Sequence, residues 1–123
     1  YNSRCISCGA CTIACSTCTC FTTTDIIYNE NGSVGERKRT SASCQVKGFS
    51  DMAGGMSFRK TAAERMRYKV LHKFHDYKAR FKDYHMCVGC GRCIDRCPEY
   101  ISIAATVEKM SKAIDEIVAE ENK

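Results

Sequence analysis

Eleven of the 123 residues are cysteine, and 19 Lys and Arg stand against 14 Asp and Glu, for a formal charge of +5. A chain of this length builds one domain around one modest core and is too short for a multidomain enzyme. Disorder is excluded by a 44% hydrophobic content with charges of both signs interspersed, and no apolar run approaches the ~18 residues of a membrane span.

Residues 1–20 hold six cysteines: Cys5, Cys8, Cys11, Cys15, Cys18 and Cys20. In FTTTDIIYN the β-branched residues predict a strand, the Asn31-Gly32 pair predicts a hairpin turn, and VGERKRTSASC supplies the returning strand. Arg37, Lys38 and Arg39 then fall on an exposed strand edge, where charge discourages edge pairing. Gly48, Gly54 and Gly55 interrupt the approach to the next element. Residues 58–83 predict the clearest helix, with Phe58, Ala62, Met66, Val70, Phe74, Tyr77 and Phe81 recurring at steps of three or four. The cations between them, from Arg59 to Lys82 and including Arg65, Lys69 and Lys73, are assigned to its solvated face. Cys87, Cys90, Cys93 and Cys97 open the last block, followed by Pro98. A second amphipathic helix runs from about Ile103 to Ala119, with Val107, Met110, Ile114, Ile117 and Val118 on its apolar side, and the final EENK is expected to fray.

One internal repeat dominates. RCISCGACTIAC and MCVGCGRCIDRC share the spacing C-x2-C-x2-C-x3-C, with Gly9 and Gly91 at the same place and 71 residues, Ser16 to Met86, between the copies. Three thiolates at successive three-residue steps reach three corners of one compact polyhedron from a single tight loop. With proline after the last cysteine, as at Cys97-Pro98, this is the bacterial [4Fe–4S] run, whose fourth cysteine ligates the other cluster. The spacing therefore assigns Cys5, Cys8, Cys11 and Cys97 to cluster I, and Cys15, Cys87, Cys90 and Cys93 to cluster II. Structural zinc fits poorly, because it favours two cysteine pairs closing one tetrahedron. Two oxidised clusters of about −2 each bring the chain to about +1, so part of the excess Lys and Arg serves as counter-charge.

An odd number of tightly grouped cysteines argues against a disulfide framework and for metal-ligating thiols in a reducing cytoplasm. The first residues carry no basic-then-apolar signal pattern. Because Tyr1 lies only four residues before Cys5, residues 1–123 are expected to be a single ferredoxin-type domain cut from a longer subunit. Cys18, Cys20 and Cys44 are left over. They make either a third metal site, completed by a ligand such as His72, His75 or His85, or thiols packed beside the clusters.

The basic helix, with Tyr68, Tyr77 and Tyr84, invites a nucleic-acid reading in which the clusters are structural. The acidic surface of a redox partner is the better complement, so neither nucleic acid nor membrane is expected as a partner. His72 and His75 lie close enough to the apolar face to read as packed residues. No Ser–His–Asp set, phosphate-binding glycine motif or catalytic carboxylate pair is visible, and no flavin or nicotinamide motif. Substrate chemistry is therefore expected on another subunit.

The stretches CGACTIACSTCTCF, VGERKRTSASC, DMAGGMSFRKTAAERMRYKVLHKF and HMCVGCGRCIDRCPEYIS resemble the anaerobic sulfite reductase A family, in its C-terminal ferredoxin-type region. More distantly, the chain is similar to sulfhydrogenase β subunits. The family pattern has Pro where Ser16 stands and His where Met56 stands; the second departure removes a candidate ligand of the third site. The resemblance implies a mostly α, helical ferredoxin-like dicluster domain with a small β-hairpin insertion. It also implies a relay between a flavoprotein subunit oxidising NADH and a sirohaem subunit reducing sulfite to sulfide. A hydrogenase relay uses the same residues with a different partner.

Overall fold

The computed structural model describes residues 1–122. In chain order its elements are α1 (Ala10–Ile13), β1 (Phe21–Ile27), β2 (Gly35–Ser41), α2 (Ala62–Leu71), a π-helical turn (His72–Asp76), α3 (Tyr77–Phe81), α4 (Arg92–Asp95) and α5 (Ile103–Glu121).

The two strands pair antiparallel, Phe21 opposite Ser41 through to Ile27 opposite Gly35. The turn is longer than the two-residue one that Asn31-Gly32 suggests. Tyr28 N–H closes it onto Val34 O at 2.9 Å, and the Asn29 and Asn31 side chains hold Ser33 and Val34 inside. Every strand residue is exposed. Arg37 forks onto Asp25 at 2.6 and 2.8 Å, and Arg39 lies over the Phe21 ring at 3.7 Å. The charged edge is therefore partly occupied by cross-strand pairing.

The central helix starts at Ala62, not at residue 58. Thr61 and Glu64 form a capping box: the Thr61 hydroxyl accepts from Glu64 N–H, and the Glu64 carboxylate accepts from Thr61 N–H. Such a cap is worth about 1 kcal/mol and sets the first turn. The continuous helix also breaks register at His72–Asp76, where Tyr77 N–H reaches back to His72 O. The carbonyls of this turn anchor the chain that leads into the second cysteine run. Lys73 O accepts from Met86 N–H at 2.9 Å, and Phe74 O from His85 Nδ1–H at 2.8 Å. α3 then stops at Lys82, which is left-handed at φ 68°.

Three of the helix's cations depart from the expected solvated face. Arg65, Lys69 and Lys73 are buried at 4–5% exposure, beside Met66 and Val70, whereas Phe58 and Phe81 are exposed. The physical reason is what lies opposite: not an apolar core but the cysteine loops. Among the described residues the buried apolar side chains are Cys44, Met66 and Val70, outnumbered by Thr12, Ser43, Gln45 and the three cations. An interior of this composition reverses the usual partition.

α5 is capped by Ser102, whose hydroxyl accepts from Ala105 N–H at 3.2 Å. The Tyr1 and Thr106 hydroxyls bond to each other, and Arg4 donates to Glu99 O, so the first residues dock where the second cysteine run ends. Beyond that, Ile114, Ile117 and Val118 are exposed rather than covered. The helix continues through Glu121, past the expected fraying point; Lys123 lies outside the described residues. No described helix is long and apolar enough to cross a membrane.

Candidate metal centre

The repeat in sequence is a repeat in shape. Gly9 and Gly91 hold φ of 80° and 75°, and each caps a four-residue helix, α1 or α4. The same hydrogen bonds follow in both copies: Thr12 and Ile94 N–H return to the glycine carbonyl at 2.9 and 2.8 Å. Cys15 and Cys97 N–H then return to Thr12 and Ile94 O at 3.2 and 3.1 Å. A left-handed turn is what lets the backbone swing around a point so that the flanking thiols face inward, and glycine adopts it without strain. At Gly9 a side chain is excluded twice over, since a Cβ there would lie 2.8 Å from Ser43 Oγ. Ser7 and Gly89 occupy a second equivalent left-handed position, at φ 59° and 69°. The Ser7 hydroxyl accepts from Arg65 Nη2–H at 2.8 Å, which fixes the loop onto α2.

α1 and α4 lie against each other, which brings the two loops together. One cavity is lined by Cys5, Cys8, Cys11 and Cys97. A second is lined by Cys15, Cys87, Cys90 and Cys93. Each run thus contributes its first three cysteines to one cavity and its fourth to the other. Cys93 and Lys69 line both, so the cavities share a wall. Cys18, Cys20 and Cys44 line a third cavity together with His72. His75 and His85 do not line it; both are exposed.

Among the described residues no three His, Cys, Asp or Glu side chains converge as closely as a single ion demands. A cubane differs in that each iron takes one terminal ligand, which spreads four thiolates around a larger body. Eight thiols around two cavities, with Cys93 on the wall they share, fit two such bodies by chemistry and supply four ligands to each.

Electrostatics make the same case. Lys69 and Lys73 are each about 95% buried, yet among the described residues neither pairs with a carboxylate. Lys69 Nζ donates to Cys11 O at 3.1 Å and Lys73 Nζ to Thr17 Oγ1 at 3.1 Å. Burying unpaired ammonium groups costs several kcal/mol each, unless an anion shares the site. Thiolates are the anions at hand. Burial alone pulls the Lys69 ammonium down, but Cys11, Cys93 and Cys44 around it leave its pKa above that of a free lysine.

The cysteines respond to the same neighbours. Burial raises Cys93 above an ordinary thiol, and the Lys69 charge only partly offsets this. At Cys15 burial works upward too, but the Thr17 hydroxyl and N–H together with Lys73 win, so its pKa is lowered. Cys90 is lowered by the N–H of Arg92 and by the Ser16 hydroxyl, which points at its sulfur from 3.8 Å. Ser16 thus bonds the opposite run from the position that corresponds to Pro98 in the second copy. In the third cavity burial, then Cys44 and Cys18, push the Cys20 thiol up to about 12.

Sequence reasoning missed Lys69, Lys73 and Arg65 as part of the site. The available signal was their spacing, since positions 65, 69 and 73 form one helical stripe next to Met66 and Val70.

The donor set and its buried counter-cations define an iron–sulfur protein. Residues 4–101 match the 4Fe-4S dicluster domain family, and the chain belongs to that family. It is also 33% identical over 115 residues to sulfhydrogenase 2 subunit beta of Pyrococcus furiosus, an alignment covering 93% of this chain and 33% of that subunit. The chain therefore spans about a third of the length of the relative it matches. No solved structure matches significantly.

Proposed function

We propose that the chain is an electron relay binding two [4Fe–4S] clusters, within a helical ferredoxin-like domain that carries a hairpin insertion. Cys5, Cys8, Cys11 and Cys97 ligate cluster I, and Cys15, Cys87, Cys90 and Cys93 ligate cluster II. The observation that carries this reading is the grouping of the eight cysteines, with Cys15 and Cys97 each lining the cavity of the other run. When bound, such clusters supply reversible one-electron storage. The chain's own residues do the rest. Gly9 and Gly91 turn the loops so that thiols face inward. Lys69 holds positive charge against both cavities, which favours the form carrying the extra electron. Ser16 and Thr17 direct hydroxyls at Cys90 and Cys15.

The relay works inside a cytoplasmic, multisubunit oxidoreductase, fed by a flavoprotein subunit. For the terminal partner, resemblance to the sulfite reductase A family supports a sirohaem subunit reducing sulfite. A hydrogenase is the second reading, favoured by the 33% identity to a sulfhydrogenase β subunit.

Anaerobic reduction with dithionite tests the relay: the visible absorption bleaches and interacting paramagnetic signals appear. Clusters that stay oxidised, in a chain that binds DNA in a salt-sensitive way, overturn it. In the native complex, sirohaem absorption with sulfite-dependent reoxidation selects the first partner, and hydrogen-dependent reduction selects the second.

A further inference from the structure

The three cysteines outside the two repeats are brought together by the hairpin. β1 begins directly after Cys20, and the ladder extends one step past Phe21 opposite Ser41, with Ala42 N–H bonding Cys20 O at 3.1 Å. Cys20 and Cys44 therefore meet at the hairpin base. Cys18 arrives from the first cysteine run, its N–H returning to Cys15 O at 3.1 Å. All three line one cavity, and no carboxylate lines it with them.

The structure also separates the three histidines. His75 Nδ1 pairs with Asp76 at 3.0 Å, and His85 Nδ1–H is taken by Phe74 O at 2.8 Å. His72, half-buried at the start of the π turn and stacked on Tyr68 at 5.7 Å, lines the cavity of the three thiols. The surroundings suit an anionic body. Lys69 and Lys73, both buried, line the same cavity. Gln45 Nε2–H points at Cys44 Sγ from 3.8 Å, and the Thr12 hydroxyl lies 3.9 Å from it. Because these donors do not converge as a single-ion shell, a polynuclear body spaced like the other two is the better fit.

We infer that Cys18, Cys20, Cys44 and His72 hold a third iron–sulfur cluster, additional to the two of the repeats. Two buried ammonium groups then have three anionic neighbours rather than two, and the site lies against the same helix.

Iron, acid-labile sulfide and zinc per chain, measured on the full chain after anaerobic reconstitution, test the inference. About twelve irons are expected in the wild type, falling to about eight in Cys44→Ala. Cys20→Ala, at a less buried position, gives the same fall should Cys44→Ala fail to fold. Both variants retain the interacting signals of the reduced pair. Pulsed EPR of the reduced wild type shows nitrogen hyperfine coupling, which disappears in His72→Cys while the iron stays. About eight irons in a wild type with its reduced pair intact overturns the third cluster and leaves the two-cluster relay standing. One zinc per chain alongside those irons overturns it equally. Twelve irons without nitrogen coupling overturns the assignment of His72, and a chain that takes up no iron overturns the relay itself.

Discussion

β1 and β2 expose every residue and are held by partners close in sequence, Arg37 to Asp25 across the ladder and Asn29 to Val34 within the turn. The loops around the cysteines are held from far away. Arg65 reaches Ser7 and Lys69 reaches Cys11, each 58 residues distant, and Arg4 reaches Glu99 across 95. The hairpin closes cheaply in entropy because its contacts are local, whereas the cradle needs long loops closed around a centre that has little apolar surface to bury. In the cradle, ligation takes the place of a hydrophobic core.

The strongest way to break this contrast is to withdraw the metal. Chelation of iron under anaerobic conditions is expected to abolish cooperative thermal unfolding followed by circular dichroism, because the buried apolar set of Cys44, Met66 and Val70 cannot support the chain alone. A chain that keeps a cooperative melt without iron would mean that the cradle has a core of its own.

Replacing one cradle cation gives a smaller effect. Lys69→Met is expected to lower the reduction potentials of both clusters, by on the order of 1–3 kcal/mol per added electron, as a lost nearby charge implies. Lys69→Arg is expected to move them less, and Lys78→Met, on the exposed part of the same helix, least. EPR-monitored redox titration reads all three. Equal shifts in the Lys69 and Lys78 variants would contradict a specific role for the buried charge.

The hairpin responds least, and to pH. The Arg37 fork holds the Asp25 carboxyl below the ordinary aspartate value. Its stabilising contribution is therefore present above pH ~4, the usual unfolded value, and fades as pH falls through the lowered one. In Arg37→Ala the Asp25 titration followed by NMR moves back up, with no change in iron content. Iron loss in that variant would tie the exposed pair to the cradle after all.

The same contrast explains what was legible in the sequence. The cysteine runs and their grouping follow from spacing, because ligation to one compact body constrains neighbours three residues apart. The hairpin follows from the richness in β-branched residues ahead of Asn31-Gly32, although two asparagine side chains lengthen its turn. The stripe Arg65, Lys69 and Lys73 reads as solvated under the rule that cations face water. That rule inverts where the helix packs on thiols; Phe81 lies exposed on α3, and Phe58 lies exposed ahead of the Thr61 cap. The π turn has no sequence signature; its use shows only in the carbonyls it gives to Met86 and His85. Ser16 reads as a lost proline, and its bond to Cys90 depends on a partner 74 residues away.

The exchange of fourth ligands is tested most directly by comparing Cys97→Ala with Cys15→Ala in anaerobic preparations by Mössbauer spectroscopy and EPR. Cys97→Ala is predicted to disrupt the cluster held by Cys5, Cys8 and Cys11, and Cys15→Ala the one held by Cys87, Cys90 and Cys93. If each substitution instead damages the cluster of its own run and spares the other, the exchange does not exist.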